Sequence, residues 1–340
     1  MAHPFGDDAI VEARFGSRTG WVIIEPRLAR ELLRRRELSK GRSEMSRAAV
    51  GGYPSQDGPA FHRRRSEVVL ALARASADVS AMRAILAASL GNTLPPRAER
   101  PAAFTHWMLL DLTRSHPAAL ELNLLRSGID AAERMAEAAQ GVRSVTPSDS
   151  DARATLERTL AGCVAGASSP FVEELRTRGW SNDEIVDELI GLALAGWEST
   201  AAAVTSALTI GLTSRPSEVE IEELLRLYPP SWLIVRTMTG GEDWGSSGDL
   251  AVVSPWLTQR SPAWHEAERF DPERTHRQPP PPAAMPFGTG QRRCPAGLYA
   301  RIQIAVALNA FGGAAPRPGK PALVGHRSAT LLPDDEEGRP

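Results

Sequence analysis

The segment from Ser181 to Leu212 constrains the fold more than any other. It opens Ser181-Asn182-Asp183-Glu184, an N-cap followed by acids in the first helical turn, and continues IVDELIGLALAGWESTAAAVTSALTIGL, about thirty residues without a proline. One α-helix of that length spans roughly 45 Å. Being apolar on all sides it must run through the core rather than over it. The chain is therefore predicted to be built around one core-crossing helix, ended by Arg215-Pro216.

Other helices are legible around it. Pro26 opens RLARELLRRREL, apolar residues recur at helical spacing from Phe61 to about Leu125 with breaks at Pro95, Pro96 and Pro101, and EVEIEELLRLY runs up to Pro229-Pro230. Residues 9 to 26 alternate apolar and polar on both sides of Ser17-Arg18-Thr19-Gly20, as a β-hairpin does, and short strands are predicted at 232 to 237 and 250 to 254. The Gly-, Ser- and Pro-rich stretch from Ser43 to Pro59 reads as a loop. Residues 259 to 293 hold seven prolines, a meander too long for a compact domain unless it has a function. It ends at Cys294, and Gly297 to Phe311 reads as a helix. The fold class is mainly α with a small β-subdomain: one domain over 1–333, β-rich at about 9–25, 232–255 and 321–332. The acidic tail 334–340 reads as disordered.

Composition narrows the function. With 39 Lys+Arg against 41 Asp+Glu the chain has no charge excess for a nucleic acid or an anionic membrane, and no stretch reaches the roughly 18 apolar residues of a membrane span. Only Lys40 and Lys320 among those cations are lysines, as in a high-GC bacterial genome. Two cysteines, Cys163 and Cys294, exclude both a disulfide scaffold and a four-ligand zinc site. With no apolar leader among the first residues, a cytoplasmic protein is expected.

The chemistry concentrates in Phe287-Gly288-Thr289-Gly290-Gln291-Arg292-Arg293-Cys294-Pro295-Ala296, a glycine-punctuated loop that delivers one cysteine to the start of a helix. Helix N-terminal amides and nearby arginines favour the thiolate, which serves as a nucleophile or a metal ligand; a buried structural thiol is the alternative on residue type alone.

This loop resembles the haem-ligand signature of the cytochrome P450 family, F-x-x-G-x-R-x-C-x-G, matched in register by Phe287, Gly290, Arg292 and Cys294. Ala296 replaces the final glycine, with Gly297 following. Glu223 and Arg226, three apart and so on one helix face, would alone read as an exposed ion pair. Followed by Leu227-Tyr228-Pro229-Pro230, they resemble the family's E-x-x-R. Arg236 then falls where the family holds a haem propionate, and Phe270-Asp271-Pro272-Glu273-Arg274 resembles the meander motif whose arginine joins that pair. Ala195-Gly196-Trp197-Glu198-Ser199-Thr200 is similar to the A-G-x-[D/E]-T-[T/S] of the central helix, with Ser199 where threonine is usual. Ala195 and Ser199 lie only 40° apart on a helical wheel, so both can face a ligand, and a hydroxyl beside an acid can relay protons. The bland alternative is a kink in a buried helix. In Phe61-His62-Arg63-Arg64-Arg65 the family's Trp or His is replaced by Phe61, with His62 adjacent, while Arg65 fits a propionate ligand. Arg63 and Arg64 read as a solvated face or a patch for an acidic donor.

The resemblance runs from about residue 9 to 313 and is weakest from 78 to 178; between Thr200 and Glu223 there is no room for the helices the family usually inserts there. It implies a b-type haem held by Cys294, with Phe61, His62, Arg65, Ala195, Arg236, Phe287, Gly288, Arg292 and Gly297 around it. Glu198, Ser199 and Thr200 would be catalytic, and Gly191, Leu192, Ala195, Ser231 and Leu233 would line a substrate pocket. The implied activity is oxidation, chiefly hydroxylation, of a hydrophobic small molecule with O2 and electrons from a ferredoxin-type donor, within bacterial secondary metabolism. The rival readings are oxidative coupling, desaturation, peroxide-driven oxidation, and a silent haem module that recruits a partner protein.

Overall fold

The structure, a computed structural model, describes residues 9–15, 18–35, 58–138, 144–239, 244–276, 282, 284–324 and 328–334. Ser17, most of the loop predicted at 43–59, the run Pro279–Pro281 and the acidic tail beyond Asp334 lie outside the described residues. The chain is mainly helical with small sheets, and it divides into two compact units.

Unit one comprises Met1–Gly41, Ala202–Cys294 and Gly312–Glu337. Strands β1 (Ile10–Phe15) and β2 (Arg18–Ile23) form an antiparallel pair in which Phe15 faces Arg18. Arg18, Thr19 and Gly20, read from the sequence as turn, are therefore strand, and Gly20 also pairs with Leu250 in β4 (Leu250–Val253). β2 and β4 run parallel, and β3 (Ile234–Thr237) completes the sheet in the order β1-β2-β4-β3. Helix α1 (Pro26–Arg34) starts with proline in its first turn, and its buried Ala29, Leu32 and Leu33 pack with Ile23, Val253 and Met285. A hairpin of β5 (Gly319–Val324) and β6 (Ser328–Pro333) completes the β structure described in this unit.

Unit two comprises Arg42–Ala201, Pro295–Phe311 and Gly338–Pro340. Its helices are α2 (Gly58–Ser76), α3 (Val79–Leu90), α4 (Arg100–Thr113), α5 (Leu122–Ala138), α6 (Pro147–Ala165), α7 (Pro170–Thr177) and α8 (Asn182–Gly196). Helix α4 is buried almost throughout, and its Trp107 Nε1 donates to the Met82 carbonyl at 3.1 Å. Pro101 does not break a helix; it sits in the first turn of α4, where no amide donor is needed. Reciprocal capping boxes fix the starts of α6, Thr146 with Asp149, and of α8, Ser181 with Glu184.

The long central helix is interrupted. α8 ends at Gly196, Trp197 and Glu198 form a turn, and α9 (Ser199–Thr209) resumes the run, its residues from Ala202 onward belonging to unit one. Within that unit Ser206 Oγ meets Thr330 Oγ1 at 2.9 Å and Thr209 Oγ1 donates to the Leu331 carbonyl at 3.1 Å, fastening α9 to the hairpin. In unit one, α10 (Glu218–Leu227) follows with its own Ser217–Glu220 capping box, then the short α11 (Pro255–Thr258). The last helix of unit two, α12 (Gly297–Phe311), packs on α2 and α3. No helix among the described residues is long and apolar enough to cross a membrane.

Candidate functional site

The strongest local order in unit one surrounds α10. Arg226, 2% exposed, donates from Nε to Glu223 Oε2 at 2.7 Å and from Nη2 to Oε1 at 2.9 Å. Its remaining donors reach into the meander, to the carbonyls of Gln259 at 2.7 Å and Ala267 at 2.9 Å, and Trp264 lies under the guanidinium at 5.2 Å. Arg274 donates to Glu223 Oε1 at 3.2 Å and to the carbonyls of His265, Glu266 and Arg269, while the Asp271 amide donates to the same carboxylate at 3.0 Å. Thus the three residues singled out by sequence meet in one buried cluster. A buried charge is tolerable only when paired and fully hydrogen-bonded, and the meander carbonyls supply that. The meander carbonyls of Gln259, His265, Glu266, Ala267 and Arg269 thus go to two arginines.

The cysteine loop leaves this cluster directly. The Met285 amide donates to Gln259 Oε1 at 2.6 Å, and the Gly288 amide turns back to the Met285 carbonyl at 3.0 Å. The Cys294 amide then donates to the Phe287 carbonyl at 2.8 Å, closing the loop on itself. Gly288 and Gly290 have φ of +68° and +73°, left-handed conformations that favour glycine. A Cβ on Gly290 would also collide with the Leu33 carbonyl at the end of α1, so the loop lies flat against that helix. Cys294 is half-buried and in no disulfide, and Arg292 places a buried Nη1 close to it in sequence. Arg236, half-buried on β3, donates to the Val235 carbonyl at 2.8 Å; its neighbour Ile234 lies 3.4 Å from the Cβ position of Gly288. Ser231 and Leu233 precede β3: Ser231 bridges to Ser328, and Leu233 packs beside Val22, Ile24 and Val252.

In unit two the interruption of the central helix falls on the predicted oxygen-site residues. From Ile185 to Ile210 Ala195 is the single exposed position; Gly191 and Leu192 one turn before it are buried, Glu198 is buried, and Ser199 and Thr200 are half-buried. The next position is closely packed, since a Cβ on Gly196 would touch Met108 Sδ at 3.5 Å. On α2, Phe61 is buried, its ring edge-on to that of exposed His62 at 5.2 Å, and Arg65 one turn later is half-buried with a buried Nε. Arg64 is neither a solvated side chain nor a donor contact: it pairs with Glu184 and lies 4.8 Å over the Trp180 ring, tying α2 to the start of α8. Arg63 alone of the two is exposed.

One arrangement here carries no sequence motif. Tyr299, in the first turn of α12, donates to Asp111 Oδ2 on α4 at 2.7 Å, and Arg114 donates to Oδ1 at 2.8 Å. Burial pushes the Asp111 carboxyl up to about 6 against the opposing pull of Tyr299 and Arg114, and burial together with the Asp111 charge pushes the Tyr299 phenol well up.

With that geometry in hand, the comparisons are informative. Residues 218–311, which hold the Glu223 cluster, the meander and the cysteine loop, match the family model for cytochrome P450. This part of the chain is similar to cytochrome P450s. Among similar proteins, cyclooctatin synthase of Streptomyces melanosporofaciens is 29% identical over 171 residues, 39% of this chain and 37% of that protein. Pentalenene oxygenase of Streptomyces avermitilis is 31% identical over 168 residues, 37% and 36% respectively. The matched part thus spans little more than a third of the length of these relatives. A 6-coordinated cytochrome P450 from Thermus thermophilus shares the fold at a TM-score of 0.70 and 22% identity, over 96% of this chain and 95% of its own.

The match over residues 218–311 implies a haem-iron group, and the cysteine in that segment suits one. Among the described residues no cluster of three or more His, Cys, Asp or Glu could hold a bare metal ion. A single soft sulfur donor instead fits an iron that brings its own equatorial nitrogens. Within the same unit as Cys294, Arg292 supplies a cation two residues before the sulfur, a charge suited to the carboxylates such a group carries.

Proposed function

We propose that this chain is a cytochrome P450 monooxygenase that binds one b-type haem through Cys294, with residues 1–333 acting as a single haem domain, and oxidises a hydrophobic small molecule in bacterial secondary metabolism. The observation that carries this reading is the Cys294 loop, closed on itself and flattened against α1 by Gly290, joined to the buried Glu223, Arg226 and Arg274 cluster. When bound, a haem-thiolate group supplies oxygen activation and C–H oxidation. The chain's own residues have separate tasks. Arg65, Arg236 and Arg292 pair with the propionates through charge-assisted hydrogen bonds, contributing about 1.5–3 kcal/mol each. Phe61, with His62 beside it, and Phe287, Gly288 and Gly297 pack along the macrocycle. Glu198, Ser199 and Thr200 hold and pass protons at the helix interruption, where an acid stands beside two hydroxyls. Gly191, Leu192, Ala195, Ser231 and Leu233 present a small apolar lining with one hydroxyl, suited to an apolar substrate. Electrons come from a ferredoxin-type protein, for which exposed Arg63 is a complementary charge. Two cysteines, neither in a disulfide, suit a reducing cytoplasm. The name of pentalenene oxygenase supports an oxygenase activity in a related chain.

The test is spectroscopic. Reduced protein exposed to CO is expected to show the red-shifted Soret band of thiolate ligation, and Cys294→Ala is expected to lose it. An unshifted band in the wild type, or an unchanged spectrum in Cys294→Ala, would overturn the assignment.

A further inference from the structure

Gln259 is 1% exposed, and every polar group of its side chain is committed. Its Nε2 donates to the Arg226 carbonyl at 3.1 Å, while Arg226 Nη1 donates back to the Gln259 carbonyl at 2.7 Å. These two opposed bonds clasp the residue to the end of α10. Oε1 is the atom left over, and it accepts the Met285 amide at 2.6 Å. From Met285 the chain turns once, Gly288 to the Met285 carbonyl, and Phe287 then accepts the Cys294 amide. Two hydrogen-bonded closures therefore separate the Gln259 side chain from the cysteine.

We propose that Gln259 is a positioning residue: through Met285 it sets the register of the Cys294 loop against the buried arginine cluster, and so the placement of the thiolate. The inference rests on the haem-thiolate reading only for its spectroscopic arm. Residue chemistry explains the choice of glutamine. The site needs a donor toward Arg226 and an acceptor toward Met285 on one planar group, which leucine supplies in neither part and glutamate only in the second. Met285 is itself 2% exposed, packed with Leu32 and Leu33 of α1, the helix against which Gly290 lies. A shift at Met285 is thus transmitted to both ends of the loop, because a close-packed interior has no slack to absorb it.

The experiment uses full-length holoprotein carrying Gln259→Leu or Gln259→Glu, with Val252→Ala, a buried change in the sheet of the same unit, as a control. Two readouts are taken: hydrogen exchange at the Met285 amide and the share of the ferrous-CO spectrum in the red-shifted band. Gln259→Leu is expected to speed Met285 exchange on the order of tenfold, the equivalent of one hydrogen bond, and to lower the red-shifted share. Gln259→Glu, which keeps the acceptor, is expected to retain Met285 protection even though its melting temperature falls. Should Gln259→Leu not accumulate, Gln259→Asn, one methylene too short to reach Met285, carries the same expectation. The proposal is overturned if Met285 exchange is indifferent to Gln259, or if Val252→Ala alters the exchange and the spectrum equally at matched loss of melting temperature. Absence of the red-shifted band in the wild type would sink the haem-thiolate reading instead, leaving the exchange measurement to judge Gln259 by itself.

Discussion

The cluster around Glu223 and the interruption at Trp197–Glu198 are opposite uses of buried polarity. In the first, two guanidiniums and one carboxylate meet each other and the carbonyls of the meander, so the polar groups are directed inward to the protein. In the second, a helix otherwise enclosed by apolar neighbours opens at an exposed alanine, flanked by a buried acid and half-buried hydroxyls. The contrast separates polar groups satisfied within the framework from a helix break beside which Ala195 reaches the surface. Rigidity is obtained by satisfying donors within the chain.

The comparison predicts unequal sensitivity. Arg226→Ala removes one partner of a buried ion pair and is expected to cost about 3–5 kcal/mol in urea unfolding, because Glu223 Oε2 and the Gln259 and Ala267 carbonyls lose that donor together. A loss below about 1 kcal/mol would show that the meander does not depend on the cluster.

A smaller effect is expected from the pair in unit two. Asp111 has its carboxyl raised from an unfolded value near 3.8 to about 6, so its contribution is fully present below pH 4 and is lost as pH rises through 6. Stability should fall over that window by on the order of 2–3 kcal/mol. Asp111→Asn should remove this component of the pH dependence while keeping an acceptor for Tyr299. A wild-type profile unchanged between pH 4 and 7 by Asp111→Asn would place the ionisation elsewhere. At the acid end Asp149, held at about 2 by the Thr146 amide and Arg134, works in the other direction and loses its contribution as pH drops below 4.

The smallest stability change is expected at the interruption. Ser199→Ala should move the unfolding free energy by less than about 1 kcal/mol, as for a half-buried hydroxyl. Its effect belongs to turnover: less product per electron consumed and more peroxide released, since positioned proton transfer contributes roughly 10²- to 10⁴-fold. Full coupling in Ser199→Ala would make the hydroxyl a feature of the helix break alone, and would erase the functional half of the comparison.

What the sequence reveals follows the range of the interactions involved. The starts of α8 and α10 are legible because a capping box is written in four consecutive residues, and α12 because Gly297 to Phe311 keeps one apolar pattern. Glu223 and Arg226 are visible as a spacing, and Arg274 through its own short motif. Gln259 is not visible, since nothing local distinguishes a glutamine that will bind Met285 from one in solvent. The Tyr299–Asp111 contact likewise joins residues 188 positions apart. The helix interruption is hidden for another reason: no proline marks it, and Trp197 keeps helical angles, φ −47° and ψ −44°, as the hydrogen-bonding changes around it. Arg18 and Thr19 are strand rather than turn because they pair with Phe15 and Arg14 of β1, a ladder pairing that overrides local turn preference.

The parallel pairing of β2 with β4 also bears on how the molecule is made. Trp21 Nε1 donates to Asp249, 228 residues further along the chain, and the sheet beside β2 cannot be completed until that late segment has been synthesised. At roughly 5–20 residues per second on the ribosome, the N-terminal hairpin waits on the order of ten seconds or more with a strand edge exposed. Partners of such large sequence separation make folding slow as well as late. Yield during expression should therefore depend on what shields that edge during translation, independently of how stable the finished protein is.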